Sequence, residues 1–273
     1  MDQHTLVAPL AFEGIGLHTG ADVRMRIVPQ AENTGIRFTL DGGPAFPATA
    51  DYVVETRRAT VLGHESATVS TVEHVLSALF AMGVDNALVE VEGPEIPVLD
   101  GSAGIYADAI AACGLASQNA KCEVFEIDAP MVFADGDAVV VVSPSDVFRV
   151  RYAVDFAAPV GAQFFDATIG PDTFRGEIAH ARTFGYLHEV EALLAAGLAR
   201  GGSLDNALVF APDGPLTPLR WPNEVVRHKT LDLIGDFALL GAWPQFEVVA
   251  MKSGHRLHAK AVAGLRDRTA ARA

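Results

Sequence analysis

The chain has 273 residues, half of them hydrophobic, and carries 34 Asp and Glu against 20 Lys and Arg for a formal net charge of −14. So acidic a chain lacks the basic surface that neutralises a phosphate backbone, which excludes nucleic acid as a partner. With no uninterrupted apolar run of about 18 residues, stable membrane insertion is not expected either. The length allows a sizeable core and exceeds the usual single domain, which favours two.

In chain order, the opening Met1-Asp2-Gln3-His4-Thr5 has neither a basic n-region nor an apolar h-region, so a cytoplasmic protein without a secretory leader is expected. Residues 22–28 alternate and residues 87–91 are apolar, and both read as strands. Between them a helix starts near Thr71 with an apolar stripe of Val72, Val75, Leu76, Leu79 and Phe80. Its outer face holds His74, Ser77, Ala78 and Ala81, residues small enough for a second backbone to come close. A helix-like segment, 102–113, leads into a polar, aperiodic stretch, 114–121, which divides the chain into 1–118 and 119–273.

In the second part, residues 122–127, 138–142 and 148–156 read as strands, and the Ala/Leu-rich residues 190–198 as a helix that is by default part of the core. Pro222 and Asn223, the latter as cap, mark the start of a long helix over 224–240. The charged, weakly patterned residues 265–273 read as a frayed tail. Each part thus runs from strands to helices, an α+β layout, with no clear sequence repeat between them. The two cysteines, Cys113 and Cys122, form no C-x-x-C pair, which suits a reducing compartment without disulfides or a thiolate metal site.

Two patches carry chemistry. On the late helix, Val226, Thr230, Leu233, Ile234, Phe237 and Gly241 form the core stripe, while His228, Asp232 and Asp236 recur every fourth residue on the opposite side. A solvated His–Asp ion pair is the plain alternative for such a ladder. The other patch is Glu73-His74. A catalytic zinc takes three protein ligands from His and Asp/Glu and keeps one position open, and His74, His228 and Asp232 would make that set. Glu73 would then address a water at the metal, unless it closes a capping box with Ser70.

Eight motifs, in order along most of the chain, carry a family resemblance. They are Gly14-Ile15-Gly16-Leu17-His18-Thr19-Gly20, Ser70-Thr71-Val72-Glu73-His74, Asp85-Asn86, Pro94-Glu95-Ile96-Pro97 with Asp100-Gly101-Ser102, Ala181-Arg182-Thr183-Phe184-Gly185, Gly202-Ser203-Leu204-Asp205-Asn206, Arg227-His228-Lys229-x-Leu231-Asp232-x-Ile234-Gly235-Asp236, and Lys252-Ser253-Gly254-His255. The chain resembles the UDP-3-O-acyl-N-acetylglucosamine deacetylases, metal-dependent enzymes of lipid A biosynthesis in Gram-negative bacteria. The resemblance implies two similarly folded α+β domains whose helices pack between two outer sheets, with a catalytic cleft at the interface where His74 meets His228.

It also implies zinc, or ferrous iron, held by His74, His228 and Asp232. Glu73 would be the general base, His255 the acid that protonates the leaving amine with Asp236 fixing its tautomer, and Thr183 a hydroxyl donor to the oxyanion. Phe184 and Lys229 match substrate-contacting positions, Asp155 and Phe156 fall at the uracil, and His18 is a further site candidate. A segment over about 183–210 would form the acyl-chain passage, lined by Leu193, Leu194 and Leu198. The basic residues in or beside the motifs, Arg182, Lys229, Lys252 and Arg256, are candidates for holding the diphosphate. A monomer acting on a small-molecule UDP-sugar is expected, with a tail shorter than usual for the family. Two other classes compete: a metal phosphohydrolase, which would need ligands for a second ion, and a lipid-sugar binder without turnover.

Overall fold

A computed structural model describes residues 1–270. The first half contains β1 (Asp2–Leu6), β2 (Leu10–Ile15), β3 (Asp22–Pro29), β4 (Ile36–Leu40), β5 (Phe46–Pro47), β6 (Val53–Glu55), β7 (Val61–His64), β8 (Ala67–Val69), α1 (Glu73–Ala81), β9 (Ala87–Glu92), α2 (Gly104–Cys113) and β10 (Leu115–Lys121). The second contains β11 (Val124–Glu126), β12 (Met131–Asp135), β13 (Ala138–Pro144), β14 (Arg149–Asp155), β15 (Ala162–Thr168), the single turn α3 (Pro171–Thr173), β16 (Phe184–Tyr186), α4 (Val190–Ala195), β17 (Leu208–Ala211), β18 (Gly214–Pro215), α5 (Glu224–Phe237), β19 (Trp243–Met251) and α6 (His255–Ala270).

The two larger sheets have one topology. The first runs β2-β3-β9-β4-β5 and the second β12-β13-β19-β14-β15, with β11 added on β19. In both, the first two strands form an antiparallel hairpin, the middle strand pairs antiparallel on one side and parallel on the other, and the last pair is antiparallel. The correspondence extends further. A three-stranded sheet, β6-β7-β8 or β16-β17-β18, is inserted before the helix that precedes the middle strand, α1 or α5, and a second helix, α2 or α6, follows that strand. The fold is therefore α+β with a structural repeat that the sequence does not display.

Alternation explains why each sheet buries one face. In β3, Val23, Met25 and Ile27 are buried while their neighbours Asp22, Arg24 and Arg26 are exposed, the period-2 pattern of a half-covered strand. The helices are covered more fully. Every residue of α1 but Phe80 is buried, and Phe80 packs on Phe148 and Trp243 of the second half. The polar ladder of α5 is buried along with its apolar stripe, so the face with His228, Asp232 and Asp236 is no solvated surface.

Three expectations are corrected. Residues 114–121 are not an unstructured crossing, because Leu115–Lys121 pairs with β1 and gives both strands backbone partners. The Ala/Leu-rich helix lies outside the core: α4 has no buried residue, Leu194 is exposed, and Leu193 and Leu198 are half-buried. The C-terminal segment continues α6 to Ala270, with Leu265 buried and Arg266 bonded to Asp51 at 2.8 Å. The end of the expected tail, 271–273, lies outside the described residues.

The crossing of α1 and α5 depends on one missing side chain. A Cβ on Gly235 would stand 2.0 Å from the backbone oxygen of Glu73, a distance no carbon tolerates. Gly→Ala inside a helix ordinarily gains about 1 kcal/mol, but forcing these backbones apart should cost about 3 kcal/mol and reverse the sign. Gly235→Ala is therefore expected to lower the melting temperature. A variant as stable as wild type would show that the helices do not meet this closely.

Candidate metal centre

The close crossing sets His74, near the start of α1, against His228 and Asp232 on α5. One ligand atom from each of the three lies within 4.8 Å of the others. Asp232 Oδ1 is 3.4 Å from His228 Nε2 and 3.8 Å from His74 Nε2, and the two imidazoles meet edge to face with centroids 5.2 Å apart. His228 Nδ1 donates to the Ala181 carbonyl at 3.0 Å, which leaves Nε2 as the free lone pair pointing at Asp232. Burial and the facing His228 depress the basicity of His74, to a pKa of about 3, and burial lowers that of His228, so both stay neutral as metal ligands must.

Asp232 shows most directly what the cradle is for. Its Oδ2 accepts from Lys229 Nζ at 2.7 Å, but its Oδ1 is buried with no hydrogen-bond partner among the described residues. Burial alone would raise its pKa, yet Lys229, His228 and His255 hold it well below the usual carboxylate range, so it is an anion. A buried, ionised, orphaned oxygen facing two neutral imidazoles, one of them with its Nε2 lone pair free, fits a divalent cation of borderline softness.

Beside this trio stand a carboxyl and an imidazole, Glu73 and His255. Glu73 is buried, and its Oε2 accepts the Thr60 backbone N–H at 3.0 Å. The capping alternative is overturned, since the N-terminus of α1 has no side-chain cap. Glu73 Oε1 lies 3.8 Å from His255 Nε2, which is itself 3.8 Å from Asp232 Oδ2. Burial pushes Glu73 up to about 8, against the pull of His255. For His255 burial works the other way, but Asp236, at 2.9 Å from Nδ1, and Glu73 outweigh it and raise the imidazole to about 9.

Segments at both inserted sheets feed this centre. Thr60, just before β7, supplies an N–H to Glu73 and a hydroxyl to Asp236 Oδ1, while Ala181, just before β16, supplies the carbonyl to His228. Thr183 follows two residues later, half-buried, its backbone held by Gly101 O and Leu208 N. Phe184 stacks edge-on to His228 at 6.1 Å and to Phe156 at 5.2 Å, so these two expected residues form an apolar wall beside a ligand. Thr60 was missed in the sequence because its segment has no periodic or motif signal. His258 was missed too, although His255-x-x-His258 on one helix face was a readable hint.

Other expected residues have partners of their own. His18 Nδ1 accepts from Ala199 N at 3.4 Å, and the turn around it is clamped by buried Glu95, which takes N–H bonds from His18 and Thr19. Lys252 pairs with Asp155 at 3.0 Å and with Asp137 at 3.3 Å. The basic residues form no free cluster: Lys229 is on Asp232, Arg256 on Asp135, and Arg182 is buried in a bidentate pair with Glu224. Asn223 does not cap α5 with its side chain, which instead bonds Phe164 O and Arg227.

A buried carboxyl and a buried imidazole 3.8 Å apart, beside a cradle that three residues could offer to a metal, fit the needs of a hydrolase. Sequence comparison narrows the class. A model of the UDP-3-O-acyl N-acetylglycosamine deacetylase family matches residues 3–267. Relatives named UDP-3-O-acyl-N-acetylglucosamine deacetylase include one from Nostoc sp., 46% identical over 94% of this chain and 96% of its own length. Others come from Syntrophotalea carbinolica, 44% identical over 94% and 85%, and Phenylobacterium zucineum, 43% identical over 98% and 94%. The chain belongs to this deacetylase family and is an enzyme, a hydrolase acting on an amide bond.

Arg182 provides a test of what the motifs do. Its guanidinium donates at 2.9 and 3.1 Å to Glu224, which is fully buried. Removing one member of a buried pair leaves an uncompensated charge, so Arg182→Met should cost about 3–5 kcal/mol in a denaturant titration while leaving KM unchanged. A raised KM with stability intact would return Arg182 to the substrate site.

Proposed function

We propose that the protein is a zinc-dependent deacetylase that removes acetate from UDP-3-O-acyl-N-acetylglucosamine. The observation that carries this reading is the buried Asp232 Oδ1, without a hydrogen-bond partner among the described residues, between two neutral imidazoles, on a carboxylate whose other oxygen lies 3.8 Å from an imidazole held cationic by Asp236. His74, His228 and Asp232 would hold the zinc, a donor set that ferrous iron also accepts. When bound, the ion polarises the amide carbonyl and acidifies the attacking water.

The chain's own groups then move the protons. Glu73, ionised, takes one from the water as it adds to the carbonyl. An amine leaves poorly as an anion, so His255 delivers a proton from Nε2 to the nitrogen while Asp236 keeps Nδ1 engaged. Thr183 offers a hydroxyl to the developing oxyanion. Phe184 and Phe156 shield the site from water, Asp155 and Lys252 meet the nucleotide end, and Lys229 faces the substrate while balancing Asp232. Leu193, Leu194 and Leu198 serve the acyl chain, and their exposure supports an open passage rather than a packed core. The enzyme would work as a cytoplasmic monomer, releasing acetate and a UDP-linked 3-O-acylglucosamine.

The direct experiment compares wild type with Glu73→Gln. The amide keeps the acceptor that Thr60 N–H needs but cannot take a proton. Acetate release should fall by about 10²- to 10⁴-fold, the usual worth of a positioned base, with metal content near wild type. Undiminished turnover would remove Glu73 from the chemistry, and no acetate from wild type would refute the substrate.

The pKa shifts fix the form of the pH dependence. Glu73 is raised by burial, so the base is lost on acidification from above the ordinary carboxylate range; His255 is raised, so the acid is lost only above the ordinary imidazole range. Turnover against pH should be bell-shaped, with limbs belonging to the coupled pair. Asp236→Asn removes the leading anion that sustains the His255 cation, and its alkaline limb should move down toward the unperturbed value of about 6.5. Overlapping alkaline limbs in the two proteins would count against His255 as the acid.

A further inference from the structure

His258 is buried and takes no part in the chemistry above. It stands three residues after His255 on α6, so the two imidazoles share a face, with centroids 6.3 Å apart. Its Nδ1 lies 2.8 Å from Asp236 Oδ2, the oxygen that also takes His255 Nδ1 at 2.9 Å. Thr60 donates its hydroxyl to the other oxygen. Three donors around one carboxylate require it to be an anion, which matches a pKa pulled down to about 2 against burial by His255 and His258.

A polar chain lies on the far side of the ring. His258 Nε2 is 2.8 Å from Ser253 Oγ and 3.3 Å from the Tyr152 hydroxyl. Tyr152 in turn donates to Ser253 O at 2.7 Å, and its hydroxyl is 2.9 Å from Ser253 Oγ. Both Tyr152 and His258 are buried, so their polar atoms have been taken out of water to make these bonds. Packing alone does not call for that; an apolar side chain would fill the space without a desolvation cost. Asp236, as a carboxylate, can only accept, so the single proton of neutral His258 sits on Nδ1, facing it.

We infer that His258 is a positioning residue for the deacetylation: held on its far side by Ser253 and Tyr152, it shares Asp236 Oδ2 with His255 and fixes the carboxylate rotation that aims His255 Nε2 at the leaving nitrogen. The inference rests on the reading of His255 as the proton donor. Asp236 Oδ2 would lose one of its two imidazole donors without His258, and the carboxylate could then turn about its terminal bond. Loss of aim at a proton donor appears in kcat, since His258 touches no substrate.

The test uses metal-loaded enzyme and UDP-3-O-acyl-N-acetylglucosamine with His258→Gln, His258→Asn, Ser253→Ala and His255→Ala. The Asn amide reaches the position of Nδ1 and can donate to Asp236, whereas the Gln amide reaches that of Nε2 and cannot. His258→Gln should lose about 10- to 100-fold in kcat, the range seen when an orienting partner is removed, with KM and metal content unchanged. His258→Asn should recover most of that rate despite filling less volume. Ser253→Ala, which leaves Asp236 untouched but frees the far side of the ring, should slow turnover by several-fold at constant KM. Wild-type kcat in His258→Gln, or equal losses in His258→Gln and His258→Asn that follow their melting temperatures, would overturn the positioning role. If His255→Ala itself turns over normally, the proton-donor reading fails instead; a slow His255→Ala beside a fast His258→Gln sinks the inference alone.

Discussion

The site rests on the contact between the backbone of Glu73 and the bare α-carbon of Gly235, where α1 and α5 cross. Helices bearing ordinary side chains stand about 8–10 Å apart, too far for short side chains from both to share one ion. Glycine on α5 and the small residues Ser77, Ala78 and Ala81 on α1 remove that spacing. His74 then comes close enough to Asp232 for their ligand atoms to lie 3.8 Å apart, and Glu73 reaches His255 across a similar gap. The first distance follows from the crossing, and the second also needs α6, which carries His255.

Burying this many ionisable groups is costly, and the structure offsets the cost by pairing them. Lys229 neutralises Asp232 from one side, and its own pKa is driven above the usual lysine value by Asp232 and Tyr152 even though burial opposes this. Asp236 has a donor for each oxygen, and Glu73 has the Thr60 N–H. Among the described residues, what remains of this network without a partner is Asp232 Oδ1, where two neutral imidazoles face it and His228 presents a bare lone pair. A polar network satisfied everywhere but at one point is organised around whatever binds at that point.

Much of the site was legible in the sequence because helical spacing is local. His228, Asp232 and Asp236 share a face of α5 at intervals of four, and the small residues beside His74 announced that α1 would be covered. Long-range partners were not legible. Thr60 lies in a short coil whose importance comes from where the insert places it, and His258 reads as one more polar residue on a charged helix until Asp236 is set against it. Arg182 shows the converse, a motif residue that looks suited to a phosphate but is engaged by Glu224. The two halves show their repeat in layout and in the family resemblance but not as a sequence repeat, because Val, Ile and Leu are interchangeable at core positions and topology outlasts sequence similarity. Strand β10 was missed because its polar residues pair at an edge with β1 and bury little.

The central claim is that Asp232 Oδ1 is a metal ligand. Metal content of purified wild type and Asp232→Asn, counted by mass spectrometry under native conditions, tests it most directly, because the substitution keeps the shape of the side chain and removes only the anion. The account predicts a single bound ion per wild-type chain and its loss from the folded variant. Full occupancy in Asp232→Asn would contradict it.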